Sequence, residues 1–448
     1  MNNFIVRLLS MEINNFKNIK HGSIDLTKKE SSEATVLGIY GQNGSGKTSV
    51  IQVLEIFKSL GLSLSLRDDI NNLIKINENE CSIDLKFSIK INNEEQYIVI
   101  YSFRISKSTS SISYEKLSIS KKEVDDSWSK TSTYFECDFS DDIQVFKPRY
   151  RYRNLVGGEQ NNKINLSVAL KLSKNNRTSL LFSQSFNEVL KGSSEEELFK
   201  IVTVLKEYVK NNLFIISGSH NSVIGLDLLL PLTVYYKNND IRIVGDIPIN
   251  LEKPMETSVN TFNLIRTVIN NMNGVIKAIV PGLSFSIKDY GEQILIDNKP
   301  GRRYELMSNR YDEAFPLRYE SDGIKRLFSE LSVLIAVYNN PSILVAIDEL
   351  DAGIFESLLG TIIHVIDETG QGQLIFTSHN LRPLEVLDNE KIIFSTTNEN
   401  NRYIRMINIR GSNNLRDCYL RALTIGGQQE DLATDMKETE IRRALKLE

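Results

Sequence analysis

The chain has 448 residues, with 53 lysines and arginines against 57 aspartates and glutamates (net charge −4), three cysteines, one tryptophan and 41% hydrophobic residues. At roughly 100–200 residues per domain this predicts two or three structural units around a large core, and it excludes disordered, collagen-like and purely coiled-coil chains. The slight acidity argues against a surface that binds nucleic acid all over, but allows a local basic patch.

The N-terminus, MNNFIVRLLSMEINNFKNIKHG, lacks the basic, apolar and small-residue succession of a signal peptide. No run of about 18 apolar residues occurs, so no membrane-spanning role is expected. Cys81, Cys137 and Cys418 lie far apart and form no C-x-x-C pair. That pattern points away from a disulfide framework or zinc ribbon and towards the cytoplasm.

In chain order, short strands are predicted through Phe16 and again at Ile24 and Leu26, with a turn at His21-Gly22, followed by a strand buried on both faces, Ala34 to Tyr40. The sequence GQNGSGKT and an amphipathic helix carrying Val50, Val53, Leu54 and Phe57 come next. From Cys81 to about Phe146 the runs CSIDLKFSIKI, EQYIVIYSFRI and SISYEKLSI alternate with period two, which predicts an antiparallel sheet. Residues 161–244 read as mixed and mainly helical, clearest at Ser193 to Asn212, where Ser193 and Ser194 offer capping chemistry. A helix near Val259 to Asn271 and a strand pair turning at Tyr290-Gly291 follow. The last third returns to α/β: a helix at Asp322 to Tyr338, a buried strand at Ile343 to Asp348, and a helix at Ile354 to Ile366. After these come strands at Gln373 to His379, Lys391 to Thr396 and RYIRMINI, then two short helices.

Gly41-Gln42-Asn43-Gly44-Ser45-Gly46-Lys47-Thr48 fits G-x-x-x-x-G-K-[ST] between a strand and a helix. In that setting backbone N–H groups converge on phosphate oxygens at a helix N-terminus. The candidate nucleotide-binding residues are Asn43, Gly44, Ser45, Gly46, Lys47, Thr48 and Ser49, with Lys47 on the β- and γ-phosphates and Thr48 on Mg²⁺. A P-loop needs an acidic partner at a strand end, and ILVAIDE supplies Asp348 for the metal and Glu349 as general base. The same Asp-Glu pair also suits a helix cap. His379, after Thr377-Ser378, is placed to touch a γ-phosphate, although a histidine after a strand is often purely structural. Ser321-Asp322-Gly323 opens a helix 27 residues before Asp348, a second anion-binding start.

In this order the P-loop, Ser321-x-Gly323, ILVAIDE, Leu350-Asp351-Ala352-Gly353 and His379 resemble the Walker A, signature, Walker B, D-loop and H-loop of ABC ATPases. The opening MEINNFKNIKHGSIDL resembles the first hairpin of the RecF/SMC/OLD branch, and 274 residues separate Lys47 from Ser321 without long heptads. The resemblance implies an α/β fold: an ABC ATPase head with an antiparallel β lobe, a mostly parallel P-loop sheet and a helical insertion. The expected division is lobe I over 1–150, a mainly helical insertion over 151–300, lobe II over 301–400 and C-terminal elements over 401–448. It also implies ATP and Mg²⁺, a homodimer or higher oligomer in which Ser321, Gly323 and Lys325 act in trans, and Asp351 coupling the two sites. Asp322 stands where the family usually has a second glycine, so slow or partner-gated hydrolysis is expected unless Lys325 or Arg326 offsets its charge.

Arg149, Arg151 and Arg153 alternate with tyrosines, and on an extended strand they would share one face. Such a ridge suits nucleic-acid contact or merely protects a sheet edge. No Toprim-type or histidine-metal nuclease pattern is found. The sequence resembles ATPase subunits of antiphage systems such as Septu or PARIS, which implies a cytoplasmic ATPase controlling an effector, a nuclease, encoded nearby. A RecF-like DNA-repair clamp and a regulator of an RNase toxin are the competing readings.

Overall fold

A computed structural model describes residues 4–26, 35–92, 94–139, 146–157, 160–218, 229–237, 242–296, 298–311, 313–409, 414–433 and 438–445. Its first layer is a six-stranded antiparallel sheet in the order β2-β1-β4-β5-β6-β7. The strands are β1 (Phe4–Phe16), β2 (Ile19–Asp25), β4 (Glu80–Ile91), β5 (Glu95–Ser106), β6 (Ser111–Lys121) and β7 (Ser132–Asp138). Alternate side chains of β4 and β5 are buried, as period-two patterning requires of a sheet with one face on the core.

The second layer is the core sheet, β18-β17-β3-β16-β15-β8. Its members are β3 (Thr35–Tyr40), β8 (Leu213–Ile216), β15 (Leu344–Ile347), β16 (Gln373–Thr377), β17 (Ile392–Ser395) and β18 (Tyr403–Ile404). All pair in parallel except β18, and β15 and β16 are buried throughout. Helix α1 (Lys47–Gly61) and the face of the antiparallel sheet cover one side, sharing a core with Ile39, Val53, Phe57, Phe87 and Tyr101.

Between β7 and β8 run α2 (Arg149–Val156), α3 (Gln160–Asn176), α4 (Gln184–Lys191) and α5 (Glu196–Asn211). Beyond β8 lie the hairpin β9 (Leu229–Lys237) and β10 (Arg242–Asn250), then β11 (Met255–Ser258) and α6 (Val259–Ile279). A long hairpin, β12 (Leu283–Ile294) with β13 (Pro300–Arg310), is flanked by β14 (Glu313–Pro316). Helices α7 (Asp322–Asn339), α8 (Glu356–Thr369), α9 (Pro383–Val386), α10 (Leu415–Ile425) and α11 (Glu438–Leu445) complete the chain. Among the described residues no helix is long and apolar enough to cross a membrane.

Four expectations change. Residues 151–300 are not mainly helical: helices run up to Asn211 and return only as α6 (Val259–Ile279), while the stretches between and after them supply a core strand and two small sheets, because a run as short as LFII carries no periodicity to identify it. The first turn falls at Lys17-Asn18, while His21 and Gly22 pair with Asn14 and Ile13 inside β2. A Cβ at Gly22 would lie 2.7 Å from the Tyr403 ring, so the glycine serves close packing within the strand. Tyr290-Gly291 is a bulge in β12, not a turn, as the register shift between Asp289 and Gly291 shows. Finally, Arg149–Arg153 form helix α2 rather than a strand.

Candidate functional site

The strand β3 ends at Tyr40 and the loop Gly41–Gly46 delivers the chain into α1, whose N-terminus no side chain caps. The loop is clasped from outside: Asn18 donates to the Gly44 carbonyl, the Ser45 and Ser395 hydroxyls pair, and the Tyr403 hydroxyl donates to Gly46 O at 2.7 Å. Lys47 is buried and its Nζ donates to the carbonyls of Gly41 (2.7 Å) and Gln42 (3.2 Å). Burial lowers its pKa, and the carboxylates of Asp348, Glu349 and Asp351 pull it back up. Ser49 is buried beneath the loop, while Asn43 and Gly44 are exposed above it.

Opposite the loop, β15 ends in two carboxylates that face different ways. Asp348 is buried, and its Oδ1 accepts from Thr48 Oγ1 at 3.2 Å and Thr377 Oγ1 at 2.6 Å. Glu349 is exposed, with φ 55°, a backbone region uncommon for any residue but glycine. Its N–H donates to Thr377 Oγ1 at 2.8 Å, so one hydroxyl at the end of β16 bridges both acids. Such strain, held by surrounding bonds, is characteristic of functional positions.

The start of α7 meets the same strand end. Ser321 is exposed at the N-cap and its hydroxyl makes no capping bond. Gly323 lies so close to Gly353 that an added Cβ would overlap the Gly353 carbonyl oxygen. The buried Lys325 pairs with the exposed Asp322 at 3.4 Å, the charge compensation the sequence left open. Arg326 turns inward instead: Nε donates to Glu330 (2.8 Å), Nη1 to Ala352 O (3.3 Å) and Nη2 to Asp348 O (3.2 Å). The Asp351 carboxylate accepts from the backbone N–H groups of His379 (3.2 Å) and Asn380 (3.0 Å), and His379 is exposed beside it.

Thus Lys47, Thr48, Asp348 and Glu349 converge on one strand end, with Asp351 and His379 tied together next to them. A hydroxyl and a carboxylate are the hard oxygen donors Mg²⁺ takes, and a buried ammonium complements phosphate, so the set fits ATP with Mg²⁺. The three arginines are not brought there. On α2, Arg149 and Arg153 are exposed, whereas Arg151 stacks on the Tyr134 ring (3.4 Å to its centroid) and pairs with the buried Glu195. Successive helical positions differ by about 100°, so Arg151 points away from the other two and the expected single-faced ridge does not form.

Sequence reasoning missed Arg326 as a link and Thr377 as a bridge. The position of Thr377, a hydroxyl at the end of a buried strand beside the Asp348 strand, was the available signal. Nothing local distinguishes an inward arginine from the other charges of an amphipathic helix.

A model of the AAA ATPase domain family matches residues 7–382. The chain belongs to that family. No curated protein sequence matches this AAA ATPase domain. Among solved structures it is similar to an Smc head bound to the C-terminal winged-helix domain of ScpA, with 14% identity, 89% of this chain and 97% of that one covered, and a TM-score of 0.43. It is also similar to the SMC head domain from Thermotoga maritima (12%, 89% and 98%, 0.37) and to the recombination mediator RecF with ATP (13%, 84% and 94%, 0.34).

Proposed function

We propose that this AAA ATPase domain is an ABC-type ATPase of the RecF/SMC/OLD-like branch that closes as a homodimer around ATP and Mg²⁺. It acts in the cytoplasm, and its slow or partner-gated turnover controls a separately encoded effector, a nuclease, in antiphage defence. The observation that carries the ATPase part is the convergence at the end of β15: Thr48 Oγ1 lies 3.2 Å from the buried Asp348, and the neighbouring Glu349 faces outward.

In this reading Lys47 leaves the carbonyls of its own loop to hold the β- and γ-phosphates, with Asn43 to Ser49 lining the anion. Thr48 and Asp348 would hold Mg²⁺, which would supply positive charge to offset the negative charge of the phosphates. Glu349 takes the proton of the attacking water, whose oxygen bonds to the γ-phosphorus as the bond to the ADP oxygen breaks. His379 contacts the γ-phosphate, positioned through Asp351. Ser321 and Gly323 of one copy close over the nucleotide of the other, and Lys325 offsets Asp322 there.

Mixing two inactive variants tests the shared site. Lys47→Ala and Ser321→Arg should each abolish turnover, and their mixture should recover it, since one composite site in each mixed dimer is intact. A mixture as inactive as its parts contradicts trans action.

A RecF-like DNA clamp is the second reading, favoured by the exposed Arg149 and Arg153 on one face of α2. It expects ATP-dependent duplex binding that weakens as salt rises, with a shallower salt slope after Arg149→Ala and Arg153→Ala.

A further inference from the structure

Helix α3 packs inward through Leu166, Ala169 and Ser173, yet it keeps three large apolar side chains on the outside. Ile164, Val168 and Leu172 are 51%, 47% and 44% exposed. A spacing of four stacks them on one face of the helix. At about 100° per residue, Lys171 and Lys163 border that stripe on one side and Asn165 on the other, and all three are exposed. The helix contains no aspartate or glutamate.

The surroundings share this bias. Residues 147–192 contain nine lysines and arginines against two glutamates, a net of +7 in a chain of −4, so the remainder sums to −11. Several of the nine are already engaged: Arg151 with Glu195, Arg177 with Asp68, and Lys174 with the Phe139 carbonyl.

We propose that this face of α3 docks an acidic amphipathic helix of a separate protein, whose apolar stripe meets Ile164, Val168 and Leu172 and whose carboxylates meet Lys163 and Lys171. Anchors at helical spacing suit a helix laid along a helix, and charges of opposite sign along the border set the pairing. A second copy of α3 would bring lysines against lysines. A phosphate backbone would leave the apolar centre of the face unused. The proposal supplies the surface for the separate partner in the preceding reading, but it stands on α3 alone and its test contains no nucleotide. Failure here therefore leaves the ATPase reading intact, and the reverse also holds.

The test uses the full chain and a fluorescent synthetic helix with leucines at i, i+4 and i+7 flanked by glutamates, followed by anisotropy. A counterpart with lysine in place of each glutamate, duplex DNA and phosphatidylglycerol vesicles are run beside it. The acidic helix is expected to bind and the lysine counterpart not. Val168→Glu should weaken binding about tenfold or more, and Lys171→Glu should shift preference towards the lysine helix, both at unchanged melting temperature. Absence of acidic-helix binding overturns the proposal, as does binding that neither variant alters. Val168-dependent binding of the duplex or the vesicles in place of the peptide overturns it equally. Should Val168→Glu fail to fold, the charge reversal at Lys171 decides.

Discussion

The phosphate loop and the Arg-Tyr segment are both short and conspicuous in the sequence, and they fared differently. Gly41 to Thr48 states a backbone path: glycines that permit positive φ, a buried strand before and an amphipathic helix after. These requirements are local, so the structure places the loop where the pattern says. The alternation from Arg149 to Arg153 states only a side-chain order, which a strand and a helix accommodate equally. There a distant contact decides, because Arg151 is drawn between the Tyr134 ring and Glu195, 44 residues away. Patterns that constrain dihedral angles carry over to the fold more safely than patterns that only alternate charge and ring.

That contrast can be broken or sharpened by substitution. The largest effect is expected from Lys47→Ala, which removes a buried cation from the proposed phosphate site. A loss of about 2–5 kcal/mol corresponds to roughly 30-fold to 1000-fold or more in ATP affinity, read by nucleotide titration. Gly323→Ala should cost about 1–3 kcal/mol, since its methyl group would meet the Gly353 backbone, which cannot yield like a flexible side chain. Its signatures are a lower melting temperature together with reduced turnover. Arg151→Ala should destabilise the fold by about 1–3 kcal/mol by leaving the buried Glu195 without its guanidinium, measured by denaturant unfolding. The smallest effect is expected from Arg149→Ala, within about 0.5 kcal/mol in the same measurement. Equal losses at 149 and 151 would erase the distinction between a surface and a packed arginine.

Much of the fold was legible where periodicity runs long. The strands of the antiparallel lobe, α1 and α5 carry their apolar pattern over three or more turns or several residue pairs, and their types followed; the apolar stripe of α7 also gave its type, although the helix is buried all round from Lys325 to Leu334. Strand β8 was not legible, because four apolar residues after Asn211-Asn212 could continue a helix, and its pairing with β15 is fixed by residues 131 positions away, Leu213 on Leu344. For the candidate site, the sequence reading put Asp348 and Glu349 at a strand end, and they directly follow β15. Their opposite orientations were not legible, because these depend on the positive φ of Glu349 and on Thr377 from another strand. Arg326 illustrates the same limit: it reads as a surface charge near Lys325, and only packing turns it towards the Asp348 and Ala352 carbonyls.

The central claim is that Glu349 serves as the base of an ATPase assembled at the end of β15. Steady-state phosphate release from ATP with Mg²⁺ tests it directly in Glu349→Gln. The amide keeps the shape of the carboxylate but cannot take a proton, so release should fall by about 10²–10⁴-fold, the usual contribution of general base catalysis. Phosphate release at the wild-type rate would contradict the account.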